Sequence, residues 1–454
     1  MLSLILSAAW AAGPSEDAAR WAPVFYQDLA DGLLNNPSNR RRDLIAAINF
    51  DGNYDPFDNA ENADSGQHPL TGSILYDVVE TETHLYLLYS IFHPIDWNTT
   101  GAIDHENDME HAWVIVQKMA DGTREISAVL TQAHGQLMAW SDTLNSASGF
   151  SLSAGGLDLE GEHPRVFIEP KGHGPVLCSF PGGLPLLNPV ICSPDATEDL
   201  VIYRALDPAA PSTLSEPDTS SGLAEASYEL VWGYETLWPF RTNLRQDNAS
   251  PPLWEDPFTW IPTRNTDADL TNNLPLNPTS VSGLGSRMAG DEGGGAGTPP
   301  WGYLASKDVF ALDTIGERGD WLLDPPAIHA LVFNDPCASE PGFYNYLFHP
   351  YLDDLLQPGS PLPHDGIDLG RRCDGTEDLP SDTADTADTG TGDTQPTDTS
   401  GNDSDTGGSA PPEKPSDSCG CTAHPRYNQA PLLALALLAC GVRRVKRFKK
   451  PRSE

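Results

Sequence analysis

What most constrains the fold of this chain is a pair of apolar runs, each doubled back on itself by a short polar turn, between residues 73 and 135. The first, SILYDVVETETHLYLLYSIF, breaks at Glu-Thr-Glu-Thr; the second, HAWVIVQKMADGTREISAVLTQAHG, pivots on Asp121-Gly122. Short runs rich in β-branched and aromatic residues, partly alternating and bounded by such turns, are the pattern of β-hairpins. HPRVFIEP, EDLVIYRAL and YELVWGYETLW continue as strands, and AIHALVFNDP adds a last one. The expected fold is therefore mainly β: an antiparallel β-sandwich with its core over 50–240, a short helical N-terminal segment over 12–49 and a loop-rich extension over 241–373 packed on the core. The helical patterns are EDAARWAPVFYQDLADGLL, interrupted by Pro23, and RRRDLIAAI. The extension carries the glycine-rich GDEGGGAGTPPWG, and there is no internal repeat.

The formal charge of −39 sets the chain against nucleic acid and other polyanions. Part of that acidity is concentrated in 374–418, a Thr/Asp/Gly/Ser tract with no aromatic residue. Such a tract buries too little apolar surface to offset the entropy of ordering, so it reads as a disordered, self-repelling stalk. Residues 1–11, MLSLILSAAWA, have the apolar core and Ala-Trp-Ala pattern of a signal peptide, although without a positive start. Beyond the stalk, 419–454 join Cys419-Gly420-Cys421, an apolar run over 430–442 and a basic tail. That run is shorter than the ~20 residues that span a bilayer comfortably, and the basic tail makes a positive-inside stop.

Cysteine usage fits an exported chain. Outside the tail stand Cys178, Cys192, Cys337 and Cys373, of which sequence proximity favours the pairs Cys178–Cys192 and Cys337–Cys373.

The segment DHENDMEHAWVIV at 104–116 sets histidines and carboxylates at the entrance to a strand. Asp108 and Glu110, two apart, leave an extended chain on one face, and His105 can fold over that face from the turn before them. The Asp121-Gly122 turn sets Met109 opposite His134, and KGHG brings His173 to the same rim. Two carboxylates with imidazole suit a hard divalent cation, calcium or magnesium rather than zinc or iron, with water completing the shell. His111, one residue beyond Glu110, leaves on the opposite face.

His-x-x-Asp-x-Glu running into a strand, then strands ending in Ala-His-Gly and Lys-x-His, resembles the necrosis-inducing NPP1-type proteins over about 70–175. Their heptapeptide is Gly-His-Arg-His-Asp-Trp-Glu. Here Asp104, Glu106, Asn107 and Met109 replace four of its positions, while His105, Asp108 and Glu110 match it. The resemblance implies a divalent cation on a β-sandwich, held at those three positions and by an upstream aspartate near Asp96. The C-terminal arrangement resembles the MYXO-CTERM class of sorting signals, which implies processing near the cysteine pair and retention at a bacterial outer surface.

Other motifs are weaker. His111 falls six residues after His105, which misses the His-Glu-x-x-His of a zincin. DGNYDPFDNAEN at 51–62 opens like a calcium loop, but Pro56 and Asn62 stand where glycine and glutamate belong, so an Asx-rich turn is the simpler reading. His68, His93, His163, His329, His349 and His364 read as surface or turn residues. Trp232, Trp238, Trp254, Trp260 and Trp301 read as packing, with a sugar-stacking platform as the alternative. The expected function is that of an exported metal-binding protein, held in the cell envelope by its C-terminus, that binds glycans or lipid head groups. The alternative is a metal-dependent hydrolase with His134 or His173 as base.

Overall fold

The structure is a computed structural model that describes residues 14–31, 36–133, 136–146, 156–178, 192, 199–207, 213–220, 222–244, 252–260, 263–264, 274–275, 281–291, 297–302, 320–339 and 341–355. The expected signal peptide, stalk and anchor, and with them His134 and Cys373, lie outside these residues. The described residues all belong to the compact unit Met1–Asp382.

The mainly β class holds. The strands are β1 (Val24–Asp28), β2 (Gly72–Thr81), β3 (His84–Trp97), β4 (Ile103–Lys118), β5 (Arg124–Ala133), β6 (Gln136–Trp140), β7 (Asn145–Ser146), β8 (Leu159–Glu160), β9 (His163–Ile168), β10 (Pro175–Leu177), β11 (Leu200–Ala205) and β12 (Leu223–Trp232). They are followed by β13 (Trp254–Trp260), β14 (Thr263–Arg264), β15 (Leu274–Pro275), β16 (Val281–Met288), β17 (Phe333–Asn334) and β18 (Tyr346–Phe348). The main sheet runs β10-β9-β1-β11-β12-β2-β3-β4-β5-β6, with β18 added on β2 and β8 on β9. Its pairing is mixed: β1–β9, β11–β12 and β12–β2 are parallel, the others antiparallel. Although β10 ends one side of this path, it lies against β5 and β4 near the other, so the sheet curls round on itself. β3 is buried on both faces for nearly its whole length. That explains why its sequence is a continuous apolar run and not a clean alternation.

Both predicted hairpins form, β2–β3 across Glu82-Thr83 and β4–β5 across Asp121-Gly122. The second is not a two-residue turn: Met119 N donates to Thr123 O and Gly122 N to Met119 O, closing a longer loop. A bulge between Ile115 and Val116 then shifts the pairing by one residue. Beyond it, His111 faces Gln132 and Ile115 faces Ala128, the register expected from a tight turn.

Three local readings are corrected. The N-terminal helix α1 covers only Pro14–Arg20. After Pro23, Val-Phe-Tyr-Gln-Asp becomes β1, held between β9 and β11, because aromatic and β-branched side chains fit a pleated, buried surface. RRRDLIAAI is not a helix over its length: a 3-10 segment, Pro37–Asp43, is followed by extended chain whose Leu44, Ile45 and Ala46 are buried. AIHALV is not a strand. It is a helix over Pro325–Val332, with prolines at its first positions, where the missing N–H costs nothing. The remaining helices in chain order are α2 (Asn59–Ser65), α3 (Gly233–Thr236), α4 (Asp320–Leu323), the corrected segment α5 (Pro325–Val332) and α6 (Pro350–Leu355).

Candidate metal centre

β3 and β4 build the centre as neighbours. Their register sets Asp96 against His105, Ile95 against Glu106, His93 against Asp108 and Ile91 against Glu110. His105 is therefore inside a strand and not in a preceding turn. In a regular strand His105 and Asp108, an odd number apart, would leave on opposite faces. Asn107 removes that obstacle. Its backbone is left-handed (φ 58°), a conformation that asparagine tolerates better than most residues. Its amide donates to Pro56 O at 2.6 Å and Ala289 O at 2.9 Å and accepts from Asn59 Nδ2 at 2.6 Å, and its carbonyl accepts from Gly297 N at 2.6 Å. A Cβ on Gly297 would stand 2.6 Å from that same carbonyl, so the glycine-rich segment can close on β4 only with glycine there.

The turn between β9 and β10 delivers His173, itself left-handed (φ 51°) and fully buried. Its Nδ1 lies 3.0 Å from Asp108 Oδ2, and its Nε2 3.4 Å from Asp43 Oδ1. Asp43, at the end of the 3-10 segment, also accepts from Trp97 Nε1 and Lys171 N, each at 2.8 Å. Burial alone would discharge the His173 imidazole, but Asp108 and Asp43 outweigh it and push its pKa up to about 10. The His93 ring stacks on it with centroids 3.7 Å apart. Burial, then the neighbouring His173, hold His93 well below the usual imidazole range. His93 Nε2 meets Gln27 Oε1 at 2.9 Å, whereas its buried Nδ1 has no hydrogen-bond partner.

At the rim, His105 Nε2 lies 3.1 Å from Asp96 Oδ2, and these side chains are 20% and 19% exposed. Burial raises the Asp96 pKa, His105 lowers it, and the charge of Asp108 raises it further. His105 is raised despite burial, by Asp96 and Asp108. Asp96, His105, Asp108 and His173 thus share one electrostatic cluster. Among the described residues, His93, Asp108 and His173 bring potential ligand atoms within 4.8 Å of one another. The donor set fits a cation: the charge of Asp108 raises the Asp96 pKa, beside an orphaned imidazole nitrogen on His93, and a positive charge would relieve both.

The expected residues are therefore placed as follows. Asp96, His105, Asp108 and His173 come together; Glu110 follows on β4 two residues after Asp108; His134 lies outside the described residues. His111 bonds Ser90 Oγ at 2.9 Å and Thr298 O at 3.0 Å, away from the cluster. Two residues were missed. His93, beside Pro94, looked like a turn residue, yet it stands opposite Asp108. Asp43 looked like the polar face of a helix. Only strand register could have signalled the first. His329 and His349, also read as surface residues, are fully buried.

The 51–62 segment is a chain of Asx turns: Asp51 accepts from Asn53 N at 3.1 Å and from Asn62 Nδ2 at 2.7 Å, and Asp55 accepts from Phe57 N at 3.1 Å. Trp238, Trp254, Trp260 and Trp301 are buried, with Trp301 edge-on to Trp238 and Trp254. They are core and offer no stacking platform. Cys178 and Cys192 form a disulfide, and Cys337 is disulfide-bonded.

No family model and no curated protein matches the chain. Among solved structures, partial likenesses are to necrosis and ethylene inducing proteins. The protein in "NLPPya in complex with mannosamine" is 18% identical over 23% of this chain and 43% of its own, with a TM-score of 0.17. Necrosis and Ethylene inducing Protein 2, from the causal agent of cocoa's Witches Broom disease, is 19% identical over 38% of this chain and 72% of its own, with a TM-score of 0.23. The non-toxic HaNLP3 protein is 13% identical over 35% and 65%, with a TM-score of 0.21. The chain spans less than half the length of the first of these, and likenesses this small leave its function to its own residues.

Proposed function

We propose that the chain is an exported, metal-dependent binding protein, with a divalent cation held by Asp96, Asp108 and Glu110, His105 at the rim, and a glycan or lipid head group as ligand. The observation that carries the reading is the buried Asp43–His173–Asp108 arrangement. A histidine held between two carboxylates fixes Asp108 from behind and leaves its second oxygen to a cation. A hard ion, calcium or magnesium, suits the oxygen donors. His173 faces Asp108 with one nitrogen and Asp43 with the other, so it is badly placed to take a proton from metal-bound water. That argues against His173 as the base of a hydrolase, and His134, the other candidate base, lies outside the described residues.

The ligand class is supported by a polar groove of about 390 Å³ lined in part by Asn36, Ser38, Asn39, Arg41, Arg42 and Thr219. The 3-10 segment Pro37–Asp43 forms one wall and ends at Asp43 of the centre. Arg42 Nη1 donates to Gly101 O at 2.8 Å, in the turn that joins β3 to β4. Amide and hydroxyl groups match sugar hydroxyls, while Arg41 and Arg42 are held by Glu216 and Asp64. The test is retention of the full chain on immobilised glycans and on vesicles of defined head group, with calcium, with magnesium and with chelator. Binding that needs the cation and falls in Asp108→Asn supports the reading; binding indifferent to both, or none on any surface, contradicts it.

A further inference from the structure

At the opposite end of β3 from Asp96, a second group of donors converges. His84 opens β3, His329 lies on α5, and Asp335 follows β17. His84 Nε2 is 3.4 Å and His329 Nε2 is 3.0 Å from the same oxygen, Asp335 Oδ2. All three atoms are buried, and the two imidazoles share a single carboxylate oxygen. Both imidazoles are fully buried, and the Asp335 side chain is 1% exposed.

Each ligand is oriented from behind. Thr83 Oγ1 meets His84 Nδ1 at 2.9 Å, the Tyr86 hydroxyl meets His329 Nδ1 at 3.3 Å, and Asp335 Oδ1 accepts from Cys337 N at 2.8 Å. These contacts commit the Nδ1 nitrogens and aim both Nε2 atoms at Asp335. The two rings stand nearly perpendicular, at 85° with centroids 4.8 Å apart, so both edges can address one point. Phe343 packs on both rings and Phe333 on His329, which walls the point with aromatic surface.

We propose that His84, His329 and Asp335 bind a second divalent cation, of the zinc class, which fastens α5 and the segment after it to the start of β3. Donors about 2.0–2.1 Å from a tetrahedral zinc lie roughly 3.3 Å from each other, and Asp335 Oδ2 stands 3.4 Å from His84 Nε2 and 3.0 Å from His329 Nε2. Two imidazoles and one carboxylate favour a borderline ion over calcium, unlike the oxygen-rich centre at the other end of the strand. Cys337 stands beside the group but is disulfide-bonded and offers no thiolate. One tetrahedral position remains for a solvent oxygen. The hydroxyls behind each Nδ1 are the supporting contacts that metal-binding histidines use. This site is independent of the centre on Asp108.

The test is the zinc content of the full chain after stripping with chelator, reloading and dialysis. Wild type and Asp108→Asn are expected to hold one zinc ion more than His329→Gln or Asp335→Asn, and excess calcium should leave it in place. Cobalt(II) in its stead should give the visible absorption of a tetrahedral ion in the first two proteins only. Equal zinc content and the same cobalt spectrum in all four would overturn the proposal. Should the variants fail to fold by circular dichroism, zinc-edge anomalous scattering from wild-type crystals decides. A peak between the two Nε2 atoms and Asp335 Oδ2 supports the site, and its absence sinks it.

Discussion

At position 107 the backbone turns left-handed between two strand residues, and four hydrogen bonds to other segments hold it there. The consequence reaches His105 and Asp108, which share a cluster only because alternation is broken at that residue. Asn107→Ala keeps a side chain of allowed size but loses the amide's bonds to Pro56 O and Ala289 O. It should destabilise the protein by about 1–3 kcal/mol, the range for orphaned buried partners, and should weaken cation binding as well. Urea denaturation with and without calcium measures both effects. An unchanged midpoint would show that the turn is held by other means. His349 offers a second residue-scale test away from either cation site. Its Nε2 faces Leu323 O at 3.1 Å, its Nδ1 accepts from Leu352 N at 3.2 Å, and burial pushes its pKa down to about 3. The unfolded chain takes up a proton at this residue below about 6.5 and the folded chain does not until about 3. Stability should therefore fall as pH drops through that window. In His349→Gln the dependence over pH 7 to 4 should be shallower than in wild type; parallel curves would remove His349 from the cause.

Among the elements, the β2–β3 and β4–β5 hairpins were legible because turn chemistry and apolar runs agree over many residues. Even their register was readable over His111–Ile115, although a longer loop and a bulge, each shifting it by one, produced the agreement. α5 was not legible, since Ile328, Leu331, Val332 and Phe333 suit either a short strand or a buried helix, and the deciding signal was the Pro325-Pro326 start. His93 was hidden for a related reason: beside Pro94 it resembled a turn, while the long β3 simply continues through the proline. The β9–β10 turn is the element that carries His173, and the strand it feeds ends just before Cys178. The disulfide from Cys178 to Cys192 closes a loop with a sequence separation of 14. In the chain-entropy model such a closure stabilises by about 3 kcal/mol. The double change Cys178→Ser, Cys192→Ser should therefore lower unfolding free energy by roughly that amount. A loss below about 0.5 kcal/mol would mean that the bridge is strained or redundant.

For the whole molecule, the mainly β class was readable from composition and spacing, whereas the closure of the sheet was not. β1 from the N-terminal flank and β18 from the C-terminal flank join the same sheet as the central hairpins. Parallel pairs across such distances leave no local mark in a sequence. The charge of −39 is compatible with a surface-exposed protein and a cation-seeking centre, and at low salt it should sharpen any dependence on divalent ions. Placement at a cell surface is our proposal from 374–454: deleting 419–454 should release the protein into the medium, and a truncated form that stays equally cell-bound would place the anchor elsewhere.

The central claim is that Asp108, steadied by His173, holds a hard divalent cation. Its most direct measurement is the melting temperature of chelator-stripped full chain as calcium or magnesium is added, for wild type, Asp108→Asn, His111→Gln and His329→Gln. An ion that binds only the folded chain must raise the melting temperature as its concentration passes its dissociation constant. The rise is expected in wild type, in His111→Gln, whose side chain faces away from the cluster, and in His329→Gln. It is expected to vanish in Asp108→Asn, which keeps the shape of the carboxylate and removes its charge. A wild-type melting curve that neither ion moves, or an Asp108→Asn curve that moves as far as wild type, would contradict the account.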